Sequence, residues 1–220
     1  MYDYILFDLD GTLTDPKEGI TSCVQHALDK LGIVEPNRDK LEPFIGPPLS
    51  DSFREFYGFD DAKAKQAVIY YRERFSTIGL FENEVYPGIP QMLEELQKAG
   101  RHLAVASSKP GVFVTQILEH FGILPYFEVI VGSELDGTRV KKEEVVEEAL
   151  RQLLHGDTVD KRQDIVMVGD RKYDIEGAKA HGTASIGVAY GYAAEGELEE
   201  AGADMIVKTV EELKKVLTTQ

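Results

Sequence analysis

Apolar positions recur along this chain at two spacings, and the change from one to the other divides it into segments. Tyr4-Ile5-Leu6-Phe7 is an unbroken apolar run that leads directly into Asp8-Leu9-Asp10-Gly11-Thr12. A run this short, with no polar alternation, predicts a strand over 4–8 buried on both faces, as in a parallel sheet. From Asp15-Pro16 to Glu84 the spacing is helical. Ile20, Val24, Ala27, Leu28 and Leu31 share one helical face and Gly32 closes the run. Asp15 is expected as the N-cap, with Pro16 at the first helical position. Helices are also predicted over 50–57 and 61–76. Between them and the first lies Leu41-Glu42-Pro43-Phe44-Ile45-Gly46-Pro47-Pro48-Leu49, read as a shaped loop because its prolines cannot continue a helix.

Beyond Tyr86-Pro87-Gly88 the two spacings alternate. Helices are predicted over 89–98, 114–121, 143–154, 175–181 and 210–217. Strands are predicted over 102–106, 127–131, 165–168, 184–188 and 205–207, with a polar loop before the strand at 165. This alternation predicts an α/β fold: a Rossmann-like parallel sheet built from residues 1–15 and 85–220, with residues 16–84 inserted as an all-helical cap.

Ligands of such sheets bind beyond the carboxyl ends of the strands. Polar clusters stand at three of those ends, over 8–12, 107–109 and 170–174. Asp8 and Asp10, two residues apart, point the same way on an extended chain. Two carboxylates facing one pocket repel each other, which favours a cation between them, and an all-oxygen donor set suits a hard ion such as magnesium. The plainer alternative is a surface turn rich in Asp and Gly. A buried strand running straight into the pair argues against it.

Composition narrows the function. Hydrophobic residues at 43% and charged residues at 29% describe an ordinary globular protein. The net charge of −15 argues against a nucleic-acid partner, which needs clustered Lys and Arg. A small phosphorylated substrate stays open, since a few cations can set the field of one cleft. Cys23 is the only cysteine, so an intramolecular disulfide and a cysteine-rich zinc site are excluded. Its helical position suits an inert, partly buried thiol. The five histidines lack metal-ligand spacing. No long apolar run follows the opening strand, so neither a secretory leader nor a membrane span is expected, and the expected compartment is cytoplasmic.

The stretch Asp8-Leu9-Asp10-Gly11-Thr12-Leu13-Thr14-Asp15 resembles the first motif of the haloacid dehalogenase superfamily of phosphatases. Ser107 resembles the second motif, and Gly169-Asp170-Arg171-Lys172-Tyr173-Asp174 the acidic fourth. The resemblance spans essentially the whole chain, including a helical cap between the first and second motifs. It implies a phosphoric monoester hydrolase in which Asp8 is the nucleophile and Asp10 the general acid and base. It implies a magnesium ion held by the side chains of Asp8 and Asp170 and the backbone carbonyl of Asp10, with Asp174 supporting it through water or hydrogen bonds. Ser107 would bind a phosphate oxygen, helped by the N–H groups of Leu9, Asp10 and Ser108; read by itself it could instead cap the following helix. Lys109 is read as a hinge or surface charge.

The third motif requires a lysine at the start of the helix before the fourth-motif strand, and Lys141 and Lys142 both qualify. Lys142 is preferred, three residues before Val145 and so nearer the apolar face of Val145, Val146, Ala149 and Leu150; either could be an ordinary solvated charge. Asp10 favours phosphate ester hydrolysis over dehalogenation, because an alkoxide leaving group needs a proton and a halide does not. In the superfamily the cap chooses the leaving group. The segment from Phe44 through Tyr57 is similar to phosphoglycolate phosphatases and 5′-nucleotidases, so phosphoglycolate and nucleoside 5′-monophosphates are the expected substrates. Arg54 would meet a substrate anion or a neighbouring glutamate. Most aromatic residues are read as core, except those near Phe44. Two rival readings are a phosphomutase of the β-phosphoglucomutase type and a non-catalytic regulatory or binding protein on the same fold.

Overall fold

Ile5, Leu6 and Phe7 are at most 1% exposed, as an apolar run becomes when both faces are covered and both edges are paired. In the computed structural model, which describes residues 2–155 and 160–219, this run is β1 (Tyr4–Phe7). It is followed by β2 (Thr14–Asp15), α1 (Lys17–Lys30), a 3-10 helix (Arg38–Phe44), α2 (Leu49–Tyr57), α3 (Asp61–Arg74), a π turn (Phe75–Gly79) and β3 (Glu84–Val85). Then come α4 (Ile89–Lys98), β4 (His102–Pro110), α5 (Gly111–His120), β5 (Val129–Ser133), α6 (Lys142–Leu154), α7 (Lys161–Asp164) and β6 (Ile165–Gly169). The chain finishes with α8 (Lys172–Ala180), β7 (Ala184–Val188), α9 (Glu197–Ala201), β8 (Met205–Val207) and α10 (Val210–Thr219). Part of the predicted polar loop, 156–159, lies outside the described residues.

The sheet is parallel, in the order β5-β4-β1-β6-β7-β8. β1 is therefore where the winding reverses, with β4 on one side and β6 on the other, the position at which such sheets open a crevice. Phe7 stands opposite both Val105 and Val168, so β1 and β6 end within a residue of one level while β4 runs on beyond them. α6 is fixed by its apolar face: Val145, Val146, Ala149, Leu150 and Leu153 share a core cluster with Leu6, Ala104, Ala106, Ile165 and Met167. Side chains three or four residues apart share a helical face, so Lys142 lies one turn before that face.

β4 extends beyond the predicted 102–106 to Pro110, with a break in register between Ala106 and Pro110. Gly132 on β5 makes the extension possible. A Cβ there would sit 2.4 Å from both Gly111 N and Lys109 O.

By its contacts the chain divides into two compact units, Met1–Asp15 with Val85–Gln220, and Pro16–Glu84. β2 and β3 are the strands by which it leaves the larger unit and returns. Within the smaller unit Phe44 is 1% exposed and packs against Phe53, Phe56 and Tyr57 at ring-centroid distances of 4.9, 5.4 and 6.1 Å. Phe44 is thus part of an aromatic core, contrary to the exception made for it. The expected loop at 41–44 is helical: Asn37 caps it by accepting from Asp39 N at 3.1 Å, and a 3-10 turn loses only one bond at Pro43. Asp15 does not cap α1. It lies in β2, and α1 begins at Lys17 with no side-chain cap. Arg54 pairs with Asp51 and with Asp61, the latter at 3.0 Å. Among the described residues no helix is long and apolar enough to cross a membrane.

Gly132→Ala would drive a methyl group into two backbones, so it is expected to destabilise the fold by about 1–3 kcal/mol, the usual cost of overpacking. Urea unfolding measures this, and a midpoint unchanged from the parent would contradict the close approach of β5 to the end of β4.

Candidate active site

The β1 ladder continues one residue past the strand, where Asp8 N donates to Val168 O at 2.9 Å. The carbonyl of Leu9 then accepts from the amides of Thr12, Leu13 and Thr14 at 3.3, 2.9 and 3.0 Å, winding the chain into a tight turn. Gly11 sits in that turn at φ +79°, a conformation that suits glycine, and a Cβ there would lie 2.1 Å from Asp170 Oδ2. The turn and the end of β6 are thus in van der Waals contact.

Lys142 opens α6 and reaches the strand ends. Its Nζ lies 2.9 Å from Asp8 Oδ1 and 2.7 Å from Asp174 Oδ1, and donates to the carbonyl of Ala106 on β4 at 2.8 Å. Asp174 is the third residue of α8, where its carboxylate also accepts from Arg171 N at 3.0 Å. Asp170 follows β6; its Oδ2 accepts from Tyr192 N at 2.8 Å and its Oδ1 lies 3.5 Å from Thr12 Oγ1. Asp8, Asp170 and Asp174 each present a carboxylate oxygen within 4.8 Å of the others. Asp10 faces a different partner, with Oδ2 2.8 Å from Lys109 Nζ, both side chains being 10% exposed or less. The other oxygen of Asp10 is buried and makes no hydrogen bond among the described residues.

Four buried carboxylates therefore meet two buried ammonium groups, leaving two negative charges in a region of poor solvation. The strain of that imbalance falls on Asp170, which no lysine pairs among the described residues. Burial, and then the charges of Asp174 and Asp8, hold its carboxyl well above the usual carboxylate range. Burial pushes Asp174 up to about 6 although Lys142 pulls against it. Burial likewise raises Asp10, against the opposing pull of Lys109. For Lys142 burial acts to lower the ammonium, but Asp174 and Asp8 outweigh it and hold it above its ordinary value. A doubly charged cation among Asp8, Asp170 and Asp174 would restore neutrality, and three carboxylates are the donors a hard ion takes. The residues present fit such a group.

The structure brings Asp8, Asp10, Lys142, Asp170 and Asp174 together at the end of the sheet. Asp174, expected to lend support through water or hydrogen bonds, presents a carboxylate oxygen beside those of Asp8 and Asp170. The Asp10 side chain takes Lys109 as its ion-pair partner. Lys141 is exposed at the N-terminus of α6. Ser107 is 2% exposed on β4 and its Oγ accepts from Lys109 N at 3.3 Å. It caps no helix, because α5 begins at Gly111 behind Pro110. Lys109 corrects the earlier reading, being a buried partner of Asp10 and neither a hinge nor a surface charge. The signal that could have revealed it was Gly132, which lets β5 come close to the backbone of Lys109 and Gly111.

The model of the haloacid dehalogenase-like hydrolases matches residues 5–188. Among curated relatives, a protein of Pseudomonas aeruginosa named 5′-nucleotidase is 53% identical over 197 residues, covering 90% of this chain and 87% of its own. A tyrosine-protein kinase, PtkA, of Mycobacterium tuberculosis is 38% identical, covering 97% and 72%. A phosphoglycolate phosphatase of Vibrio parahaemolyticus is 32% identical, covering 97% and 95%. The solved structure of a predicted phosphatase from Clostridium acetobutylicum superposes with a TM-score of 0.94 at 48% identity, covering all of both chains.

Removing one partner from a buried ionic cluster typically costs about 3–5 kcal/mol, because the remaining charges stay buried. Lys142→Met should lower stability by that amount in buffer free of divalent cations, and Lys141→Met by less than about 0.5 kcal/mol. Chemical denaturation of the two variants decides the matter; equal losses would show that Lys142 does not carry the cluster.

Proposed function

The chain belongs to the haloacid dehalogenase-like hydrolases and is a phosphoric monoester hydrolase, and from this premise we propose that it is a magnesium-dependent phosphatase of small phosphorylated metabolites, working through an aspartyl-phosphate on Asp8. The observation that carries this reading is the different pairing of two carboxylates only two residues apart in sequence. Asp8 sits with Lys142 and the acidic group, whereas Asp10 sits with Lys109 and keeps one buried oxygen without a hydrogen bond among the described residues.

That difference in partners supports two different tasks. An Asp8 oxygen attacks phosphorus as the bond to the leaving oxygen breaks, and protonated Asp10 delivers its proton to that oxygen. Asp10, now a carboxylate, takes a proton from the water that attacks phosphorus, and the bond from phosphorus to Asp8 breaks to release inorganic phosphate. Lys142 and Ser107 serve as phosphate ligands, the lysine offsetting charge in the transition state. Asp8, Asp170 and the backbone carbonyl of Asp10 would hold the magnesium ion, with Asp174 beside them, and when bound it offsets the repulsion between Asp8 and the incoming phosphate.

Residues 16–84 act as the cap that selects the leaving group. The names of two relatives support nucleoside 5′-monophosphates and phosphoglycolate as the classes to try first, and the identity of 53% against 32% ranks the nucleotides ahead.

A panel of nucleotides, phosphoglycolate and sugar phosphates assayed with magnesium tests the reading. Phosphate release is expected to vanish in Asp8→Asn and on chelation, and to fall about 10²- to 10⁴-fold in Asp10→Asn, the usual worth of a general acid and base. Release that survives Asp8→Asn would overturn the mechanism. Conversion of a hexose 1-phosphate to its 6-phosphate without release would replace the phosphatase by a mutase.

A further inference from the structure

Tyr190-Gly191-Tyr192 follows β7 and has no part in the steps above, yet it touches the acidic group at several points. Lys142 reaches Asp8 and Asp174 but leaves Asp170 to other partners. The short contact holding the Asp170 carboxylate is the amide of Tyr192, 2.8 Å from Oδ2; the Thr12 hydroxyl stands at the limit of hydrogen bonding, 3.5 Å from Oδ1. The loop comes this close because residue 191 is glycine: a Cβ there would lie 2.4 Å from both Asp170 Cβ and Gly11 O.

The side chain of Tyr192 points the other way along the same connection. Its hydroxyl donates to the carboxylate of Asp15, the last residue of β2. It also interacts with the side chain of Tyr86, which directly follows β3. Tyr190 braces the loop from the same side, donating to Thr12 O at 3.0 Å, with its ring edge-on to Tyr86 at 5.1 Å. One residue therefore touches the Asp170 carboxylate through its backbone, and Asp15 of β2 and Tyr86 after β3 through its side chain.

We propose that Tyr192 is a positioning residue for the cation, fixing one oxygen of Asp170 so that the other faces the metal, and tying that carboxylate to Asp15 and Tyr86 on the two linkers. This rests on the reading of Asp170 as a magnesium ligand. Groups that orient a ligand from behind are typically worth about 10- to 100-fold in metal affinity. Tyr192 differs from the ligands in carrying no charge, so its effect is separable from the electrostatics of the site.

Tyr192→Phe removes one hydroxyl and keeps the ring and the backbone amide. Titration of the full chain with magnesium alone, followed by calorimetry, should show binding weakened about 10-fold. Saturating magnesium should restore kcat, and the substrate KM should stay at the parent value. Tyr86→Phe should weaken binding in the same direction by less. Because it acts through Tyr192, adding it to Tyr192→Phe should cause no further loss. An unchanged magnesium Kd in Tyr192→Phe would overturn the inference, as would a loss of kcat that saturating magnesium does not restore. A parent chain that binds no magnesium would instead overturn the assignment of Asp170 as a ligand, and this inference with it.

Discussion

A single buried ammonium group holds two strand ends and the start of a helix together. Lys142 Nζ lies within 2.9 Å of oxygens that follow β1, end the regular part of β4 and sit in the first turn of α8. Placing it there is expensive, because taking ions out of water typically costs several kcal/mol each. Well-packed apolar residues of the same volume would often serve stability as well or better. The arrangement therefore makes sense as a device for chemistry: it keeps charged groups dry, close and fixed before any substrate arrives, where their field is stronger than in water.

The scaffold around Lys142 is built to permit that expense. α6 is anchored by its apolar face against the middle of the sheet, so the position of its first residue is set by packing far from the charges. The parallel register puts Asp8, Ser107 and Asp170 beyond one edge of a core whose strands are almost wholly buried. Neither feature depends on the carboxylates. A conservative change in the charged cluster can thus alter chemistry while leaving the sheet intact, and a change in the sheet reaches the chemistry by moving where the loops begin.

Much of this was legible in the chain because it follows from local pattern. The run of Tyr4 to Phe7 announces a central strand, the polar residues after it announce a strand end, and Val145 with Val146 fixes which lysine comes nearest the sheet. What escaped depends on partners remote in sequence. Lys109 looks like any polar residue after a strand, and its burial against Asp10 requires β4 to continue past Gly132, a residue more than twenty positions away. Asp15 reads as a helix cap from its neighbour Pro16, but Tyr192 claims its carboxylate from the far end of the chain. Phe44 lies in a proline-rich stretch, and only the ring positions of α2 reveal that it is core.

The place of β1 in the sheet has a consequence for how the protein comes into being. The central strand precedes both of its partners in the chain, and β4 and β6 begin about a hundred residues later and beyond. During synthesis an apolar strand must wait, unpaired on both edges, while the intervening chain emerges. The Pro16–Glu84 unit is continuous in sequence and can condense in that interval, since domains generally fold as units from the N-terminal side. Ordering the larger unit then waits on long loop closures, which slow the folding of sheets built from distant strands. The strand that later presents Asp8 is thus the last part of its own start to find a home, and the interval before β6 emerges is when the nascent chain is most exposed to aggregation or most in need of a chaperone.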